Sequence, residues 1–215
     1  MKSKISYKQN VLESKVATVT SGGHWFNVTR EAVDDFVPGL LKKQDYEKLV
    51  LTAVTWIESA DSLALILYFV LVFFTPYWFA AVVSLLFYFF WFYFKSAFVN
   101  IPLTPVLKFL NHDALQIGVA AVALSLLGIE GYYAGLLIGI IYFFLFKVGL
   151  MRLLLDRIEV KRERAGLQLN DRVLKMVLIR YSIYEDVTPP EVNDMEEYLK
   201  ESFLKFKLKN TKKKN

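Results

Sequence analysis

Two carboxylates stand three residues apart at the beginning of a long apolar stretch. Glu58 and Asp61 lie on one face of this segment if it is helical, because residues three apart are neighbours on a helix surface. Residues 63–94, which follow, contain no charged side chain. Ionisable groups within a membrane span are costly and therefore rank as functional candidates. The pair predicts a site that binds a cation, relays protons or pairs with a basic partner. The alternative is that both carboxylates simply reach the headgroup region.

His112 and Asp113 form a second candidate, since they precede another apolar run. If the two apolar segments pack together, His112 and Asp113 can approach Glu58 and Asp61 on the same side of the membrane. Metal sites in helical bundles normally carry Glu-x-x-His repeats on facing helices, and this chain has none and two histidines in all. We therefore treat the four residues as cation or proton candidates and assign no catalytic residue, no metal ligand and no cofactor.

Small residues recur at helical spacing in the second half of the apolar region. Gly131, Gly135 and Gly139 share one helix face, and the preceding run offers a comparable face made of Gly118, Ala121, Ser125 and Gly128. Small residues let transmembrane backbones approach closely, where packing rather than hydrophobicity drives association. These residues predict a helix-packing interface. It joins two spans of one hairpin, or it joins this chain to a second copy or another subunit.

The composition indicates an all-α integral membrane protein, whose first partner is the lipid bilayer. Of 215 residues, 55% are hydrophobic and 16% are aromatic, and the mean hydropathy is +0.35. A soluble domain averages roughly 45–50% apolar residues. The absence of Cys excludes a disulfide scaffold and thiolate chemistry. No phosphate-binding, hydrolase or zinc-protease motif occurs, and the basic C-terminal half carries matching acidic residues, so we expect no nucleic-acid partner.

Four transmembrane helices in two tight hairpins are the topology that we predict. One unbroken helix over residues 63–94 would be about 48 Å long, against a hydrocarbon core of roughly 30 Å, and Pro76 interrupts it. The predicted spans are about 56–74, 77–94, 114–128 and 132–150. All Lys and Arg of the flanking loops then fall on one side. This distribution places both termini in the cytoplasm, and we expect a bacterial inner membrane.

Polar segments flank this transmembrane domain, which covers residues 56–155. Residues 1–55 are predicted to form a cytoplasmic lead-in with a β-hairpin at 15–29 and a short helix at 30–36. In residues 156–215 we expect the last span to continue as a helix that stops at Gly166. An amphipathic helix capped by Asn170 follows, then another from Thr188 and a basic tail. Such helices need a partner surface, which is another part of the chain, the headgroups or another subunit.

Three functions fit these patterns. The first is a non-enzymatic accessory or scaffolding component of a membrane assembly, favoured by the small-residue faces, the amphipathic helices and the missing catalytic motifs. The second is a small oligomeric cation or proton transporter or channel that uses Glu58 and Asp61. The third is a lipid-modifying membrane enzyme at the cytoplasmic face, built from those carboxylates with His112 and Asp113.

Overall fold

The described part of the chain is mostly helical. The computed structural model describes residues 17–19, 25–27, 30–151, 154 and 165–187. Its α-helices are α1 (Arg30–Phe36), α2 (Tyr46–Leu71), α3 (Tyr77–Phe98), α4 (Thr104–Leu110), α5 (Asp113–Ile129), α6 (Tyr133–Tyr142) and α7 (Ala165–Tyr184). Single 3-10 turns cover Leu40–Lys42 and Ile101–Leu103, and a π-helical turn, Phe143–Lys147, extends α6.

Two to three helices qualify as membrane spans, rather than the four that we predicted. Helices α2 and α3 are long and apolar enough, and the pair formed by Ile101–Leu110 and α5 qualifies only as one span bent by 50°. The fourth apolar segment, Tyr133–Lys147, has 15 residues and is about 22 Å long at 1.5 Å per residue. That length is well below a hydrocarbon core of roughly 30 Å. The apolar helices indicate a membrane-embedded protein.

The turn between α2 and α3 contains Pro76, as the sequence predicts. Helix α2 ends at Leu71, and α3 begins at Tyr77, directly after Pro76. The two helices differ in their surroundings. In the most apolar stretch of 18 residues of each helix, 67% of the residues are buried in α2 and 17% in α3. Helix α2 is thus the central helix, and α3 presents its bulky side chains to the outside. The exposed side chains of α3 are Trp78, Phe79, Val82, Leu86, Phe90 and Tyr93.

Two hydrophobic cores lie one after the other along α2. The first, which we call the terminal cap, joins α1, the first turns of α2 up to Ile57, and α7. The second, which we call the apolar bundle, begins at Ala60 and joins the rest of α2 to α3, α5 and α6. Gln44 donates from Nε2 to Glu185 Oε1 at 2.5 Å, so the loop before α2 meets the segment that follows α7.

Helix α7 differs from its prediction. Gly166 and Asn170 lie inside α7 rather than ending one helix and capping the next. The last span does not run on unbroken either, because the π-helical turn ends at Lys147 and Gly149 takes a left-handed conformation with φ +82°. Residues 173–179 of α7 are buried in the terminal cap, so this helix finds its partner surface within the chain. The helix predicted from Thr188 and the basic tail lie outside the described residues.

Within the predicted hairpin at 15–29, the structure describes two three-residue strands. Ala17–Val19 pairs antiparallel with Trp25–Asn27, with Thr18 opposite Phe26. The Ser21-Gly22-Gly23 turn lies outside the described residues. The short helix predicted after it is confirmed as α1, and Gly39, with φ +85°, follows its end. These strands add little to a fold that rests on helices.

Candidate functional site

A layer of polar side chains separates the terminal cap from the apolar bundle. On α2 it comprises Thr55, Glu58, Ser59, Asp61 and Ser62; α3 adds Trp91 and Lys95, and the entrance to α5 adds Asn111 and Gln116. Along α2 the fully buried apolar residues of the cap end at Ile57 and those of the bundle begin at Ala60, and the polar layer lies around this junction. It contains both α2 carboxylates that the sequence singled out.

Lys95 is the most buried cation of the layer. Its side chain is 1% exposed, although it lies in the last turn of α3. Its Nζ donates to the backbone oxygen of Ile57 at 3.0 Å and lies 4.7 Å from the centre of the Phe92 ring. A buried ammonium is stable only where such partners replace water. Since Ile57 precedes Glu58, the ammonium lies at the level of the α2 carboxylates.

The two carboxylates themselves are enclosed. Asp61 is buried and Glu58 is half-buried, and one oxygen of each, Glu58 Oε1 and Asp61 Oδ1, is shielded from solvent. Both belong to the central helix, which is why residues at the end of a predicted span are covered on several sides. The sequence prediction that they lie on one helix near one another is confirmed by α2, which runs unbroken through both.

Hydroxyl and amide groups connect the layer across helices. Trp91 Nε1 donates to Ser59 Oγ at 2.7 Å, and Ser59 Oγ in turn donates to the oxygen of Trp56 at 2.6 Å. Gln116 Nε2 donates to Ser62 Oγ at 2.8 Å and to the oxygen of Leu110 at 2.9 Å. These side-chain hydrogen bonds therefore connect α3 and α5 to α2.

Asn111 makes the connection closest to the cap. Its Nδ2 donates to the oxygen of Thr55 at 2.9 Å, while its Oδ1 is buried without a hydrogen-bond partner among the described residues. Asn111 and Gln116 thus occupy the place beside α2 that the sequence analysis gave to their neighbours. An amide at each end of the first turn of a helix is a weak sequence signal, since amides also serve as ordinary caps.

His112 and Asp113 turn outward. Both are exposed; His112 caps α5 by accepting a hydrogen bond at Nδ1 from the Ala114 amide at 3.3 Å. Asp113 pairs with Lys147 at the end of the π-helical turn. The structure therefore gives these two side chains partners on α5 and after α6, and not a shared site with the α2 carboxylates. Among the described residues no group of three or more His, Cys, Asp or Glu could hold a metal ion.

The three glycines of the second hairpin take different positions. Gly131 is in the turn before α6 with φ +76°, a left-handed conformation that glycine adopts without strain. A Cβ at Gly135 would lie 3.3 Å from the Tyr77 side chain, and a Cβ at Gly139 would lie 2.6 Å from Leu124 Cδ2. The glycine face of α6 thus brings that helix close to the beginning of α3 and to α5. Gly139 faces the end of α2 as well.

The matching small residues of α5 lie elsewhere. Gly118, Ala121 and Ser125 are exposed and Gly128 is half-exposed. A Cβ added at Gly118 or Gly128 would meet no atom within 4 Å. Instead, α5 packs inward through Gln116, Ala120, Ala123 and Leu127. The face that looked complementary to α6 is an outer surface of this chain.

The terminal cap contains two cations that the sequence analysis passed over. Lys175 is buried in α7, with Nζ 6.0 Å from the centre of the Phe36 ring. Arg180 lies farther along the same helix, and burial lowers the pKa of its guanidinium. Their signal in the sequence is weak, because charged residues on an amphipathic helix are ordinarily assigned to its solvated face.

No protein-family model, curated protein sequence or solved structure matches the chain. The class that the fold defines is a helical protein with two to three candidate membrane spans and a polar layer at one end of the bundle.

Proposed function

We propose that this chain is a non-enzymatic, multi-pass membrane protein that acts as an accessory or scaffolding component of a membrane assembly. The observation that carries the proposal is the set of hydrogen bonds within the polar layer. Lys95, Trp91 and Gln116 each donate a hydrogen bond to a group of the same chain. Polar groups used in this way fix helices to one another. A transport path or an active site needs groups that face a substrate.

The outer face of α5 is the surface that we assign to a partner. Gly118, Ala121 and Ser125 are exposed there, so no side chain among the described residues covers them. Small residues give lipid tails little to contact but let another helix approach closely. The partner that fits this face is a transmembrane helix of a second copy of the chain or of another subunit.

The topology belongs to the same proposal. We place the terminal cap, and with it both termini, on the cytoplasmic side of a bacterial inner membrane, because the Lys and Arg of the flanking segments gather there. Gln44 and Glu185 meet within the cap, which supports one side for both segments. Four crossings then require the short Tyr133–Lys147 segment to cross as well, with local thinning of the bilayer.

The first test is gentle extraction from the native membrane followed by mass measurement of the particle and identification of every co-purifying chain. A defined complex, or a homo-oligomer of fixed number, is the expected result. Recovery of the chain alone and monomeric, in several mild detergents, would contradict the accessory function.

A substitution then tests the assigned face. Ala121→Leu places a bulky side chain on the outer face of α5, where lipid would accept it and a closely packed helix would not. We expect the complex to dissociate while the monomer stays folded. Ala134→Leu is the matched control, since Ala134 is also exposed but lies on α6. Equal behaviour of both variants would move the interface away from α5.

The second candidate function is a small oligomeric cation or proton transporter or channel. The burial of Glu58 and Asp61 on the central helix, at the level of the buried Lys95 ammonium, favours it. We expect Glu58→Gln with Asp61→Asn to abolish flux in proteoliposomes if this function holds. Unchanged flux would eliminate these carboxylates as transport groups. A lipid-modifying enzyme built from all four sequence candidates has less geometric support, since His112 and Asp113 are exposed with other partners.

A further inference from the structure

Helix α4 is a short apolar helix attached to the side of α2. Its inner contacts are specific: Leu107 is buried in the cap core, and Thr104 Oγ1 accepts a hydrogen bond from Trp56 Nε1 at 3.1 Å. Asn111, directly after α4, donates to the Thr55 oxygen at 2.9 Å. These contacts fix α4 at the level of Thr55 and Trp56, in the last turn that α2 contributes to the terminal cap.

The opposite face of this segment is apolar and uncovered. Leu103, Val106 and Phe109 recur every third residue and are 40%, 51% and 63% exposed. Lys108, in the last turn of α4, is exposed beside them. An amphipathic helix with this pattern lies in the plane of a membrane surface, with its apolar side in the acyl boundary and its cation toward the headgroups.

The neighbouring surface is already apolar. Helix α3 leads into this segment, and its exposed side chains near that end, Phe90 and Tyr93, belong to the outward aromatic surface. The exposed apolar side chains of α3 are thus followed along the chain by those of Leu103, Val106 and Phe109, while Leu107 on the inner side packs in the cap. Nothing else among the described residues lies over Leu103, Val106 or Phe109.

We propose that α4 and the 3-10 turn before it form a membrane-interface segment whose Leu103, Val106 and Phe109 enter the acyl region of the leaflet next to the terminal cap, with Lys108 at the phospholipid phosphates. The occupant of this face is the lipid leaflet itself. The inference fixes the depth of the protein: the boundary of the acyl region falls near Thr55. Glu58 and Asp61 then lie about 5 and 9 Å farther along α2, at 1.5 Å per residue, inside that boundary.

The inference requires only that the chain is inserted in a bilayer, so it stands or falls separately from the accessory function. The chain has no cysteine, so single substitutions can be labelled without background. Leu103→Cys, Val106→Cys, Phe109→Cys and Lys108→Cys are each labelled with bimane and reconstituted into phosphatidylethanolamine–phosphatidylglycerol vesicles. Quenching is measured with lipids brominated in the upper acyl chain and with aqueous iodide.

Two control sites bracket the result. Leu86→Cys reports a lipid-facing position of α3, and Asp35→Cys reports an exposed position of α1 in the cap. We expect the labels at Leu103, Val106 and Phe109 to be quenched by brominated lipid as strongly as the one at Leu86, or more, and the label at Lys108 to respond to iodide.

Two outcomes overturn the inference. Iodide quenching at all four sites equal to that at Asp35 would place α4 in water. Protection of the apolar sites from both quenchers would mean that a protein surface, from a second copy or another subunit, covers α4 in place of lipid. Because these side chains are exposed, we expect the substitutions to leave the fold intact, which a monodisperse elution profile of each variant checks.

Discussion

The terminal cap and the apolar bundle solve the same packing problem with different side chains. The cap is filled with aliphatic residues from three parts of the chain, such as Val33, Leu49 and Leu174. The bundle is filled with alanines and aromatic rings; Tyr68 and Tyr142, for example, stack with ring centres 4.3 Å apart. Apolar burial from water favours the first arrangement. Between helices in lipid that gain is missing, and close backbone approach and hydrogen bonds replace it.

The difference also explains where the polar layer lies. Charged and amide groups would be costly in the middle of the bundle, where neither water nor headgroups can reach. At the junction of the two cores, Lys95, Asn111 and Gln116 find backbone and hydroxyl partners on α2. The layer thus joins the aliphatic core of the cap to the alanine- and aromatic-rich core of the bundle.

The largest effect is expected in the terminal cap. Leu174 is 1% exposed, and Leu174→Ala removes buried methyl groups and leaves a cavity, a change that costs about 2–5 kcal/mol in soluble cores. We expect the free energy of unfolding in detergent micelles to fall by that amount. Tyr184→Ala, at an exposed position of the same helix, is the control. Similar losses for the two variants would show that α7 does not pack as described.

The cap illustrates which part of the fold the sequence predicts. The pattern of apolar residues in α7, with Val173, Leu174, Val177 and Leu178 on one side, identifies a helix that needs a partner. It does not identify that partner, because the surfaces of α2 and α3 that cover α7 are distant in the chain. The prediction that one helix ends at Gly166 and that Asn170 caps the next was wrong, because α7 runs through both residues. Burial of the following residues outweighs the local cost of about 1 kcal/mol for a glycine in a helix.

The next effect is expected at the junction. Lys95→Met keeps an unbranched side chain one atom shorter but removes the ammonium that donates to the Ile57 oxygen. Hydrogen bonds to charged groups contribute about 1.5–3 kcal/mol, and we expect a loss in that range. Lys108→Met, at an exposed lysine, should change stability by about 0.5 kcal/mol or less.

A second substitution makes the test of the junction sharper. If the Lys95 ammonium compensates the α2 carboxylates, adding Glu58→Gln or Asp61→Asn to Lys95→Met should restore part of the lost stability, because a buried negative charge is removed. Additive losses in both double variants, measured in the same micelles, would contradict electrostatic coupling across the layer.

In the bundle we expect smaller changes in the free energy of unfolding, in opposite directions for two glycines. Gly139→Ala brings a Cβ to 2.6 Å from Leu124 Cδ2, so that side chain must shift, at a cost of about 1 kcal/mol. Gly118→Ala meets no atom within 4 Å and improves helix propensity by up to about 1 kcal/mol. Opposite changes in unfolding free energy are therefore expected. Equal destabilisation would place both glycines in the packed interior of the monomer.

These glycines mark the limit of the sequence argument for the bundle. Four-residue spacing shows which small residues share a face, and it predicted a close approach that α6 makes through Gly135 and Gly139. Spacing cannot show which way that face points. On α5 the inward side is set by Gln116 and the alanines, because the amide must reach Ser62 on α2. The outward position of Gly118 follows from that polar contact and not from its own size.

The smallest effect is expected for the hydrogen bond that sets this orientation. Gln116 Nε2 donates to Ser62 Oγ at 2.8 Å, and interhelical hydrogen bonds in membrane proteins contribute about 0.6 kcal/mol on average, with a maximum near 1.7. A double-mutant cycle with Gln116→Leu and Ser62→Ala should therefore give a coupling energy of that size. The same cycle with Ser125→Ala, at an exposed serine of α5, should be additive. Zero coupling between Gln116 and Ser62 would mean that apolar packing alone orients α5, and the polar layer would then lose its role as the connection between the two cores.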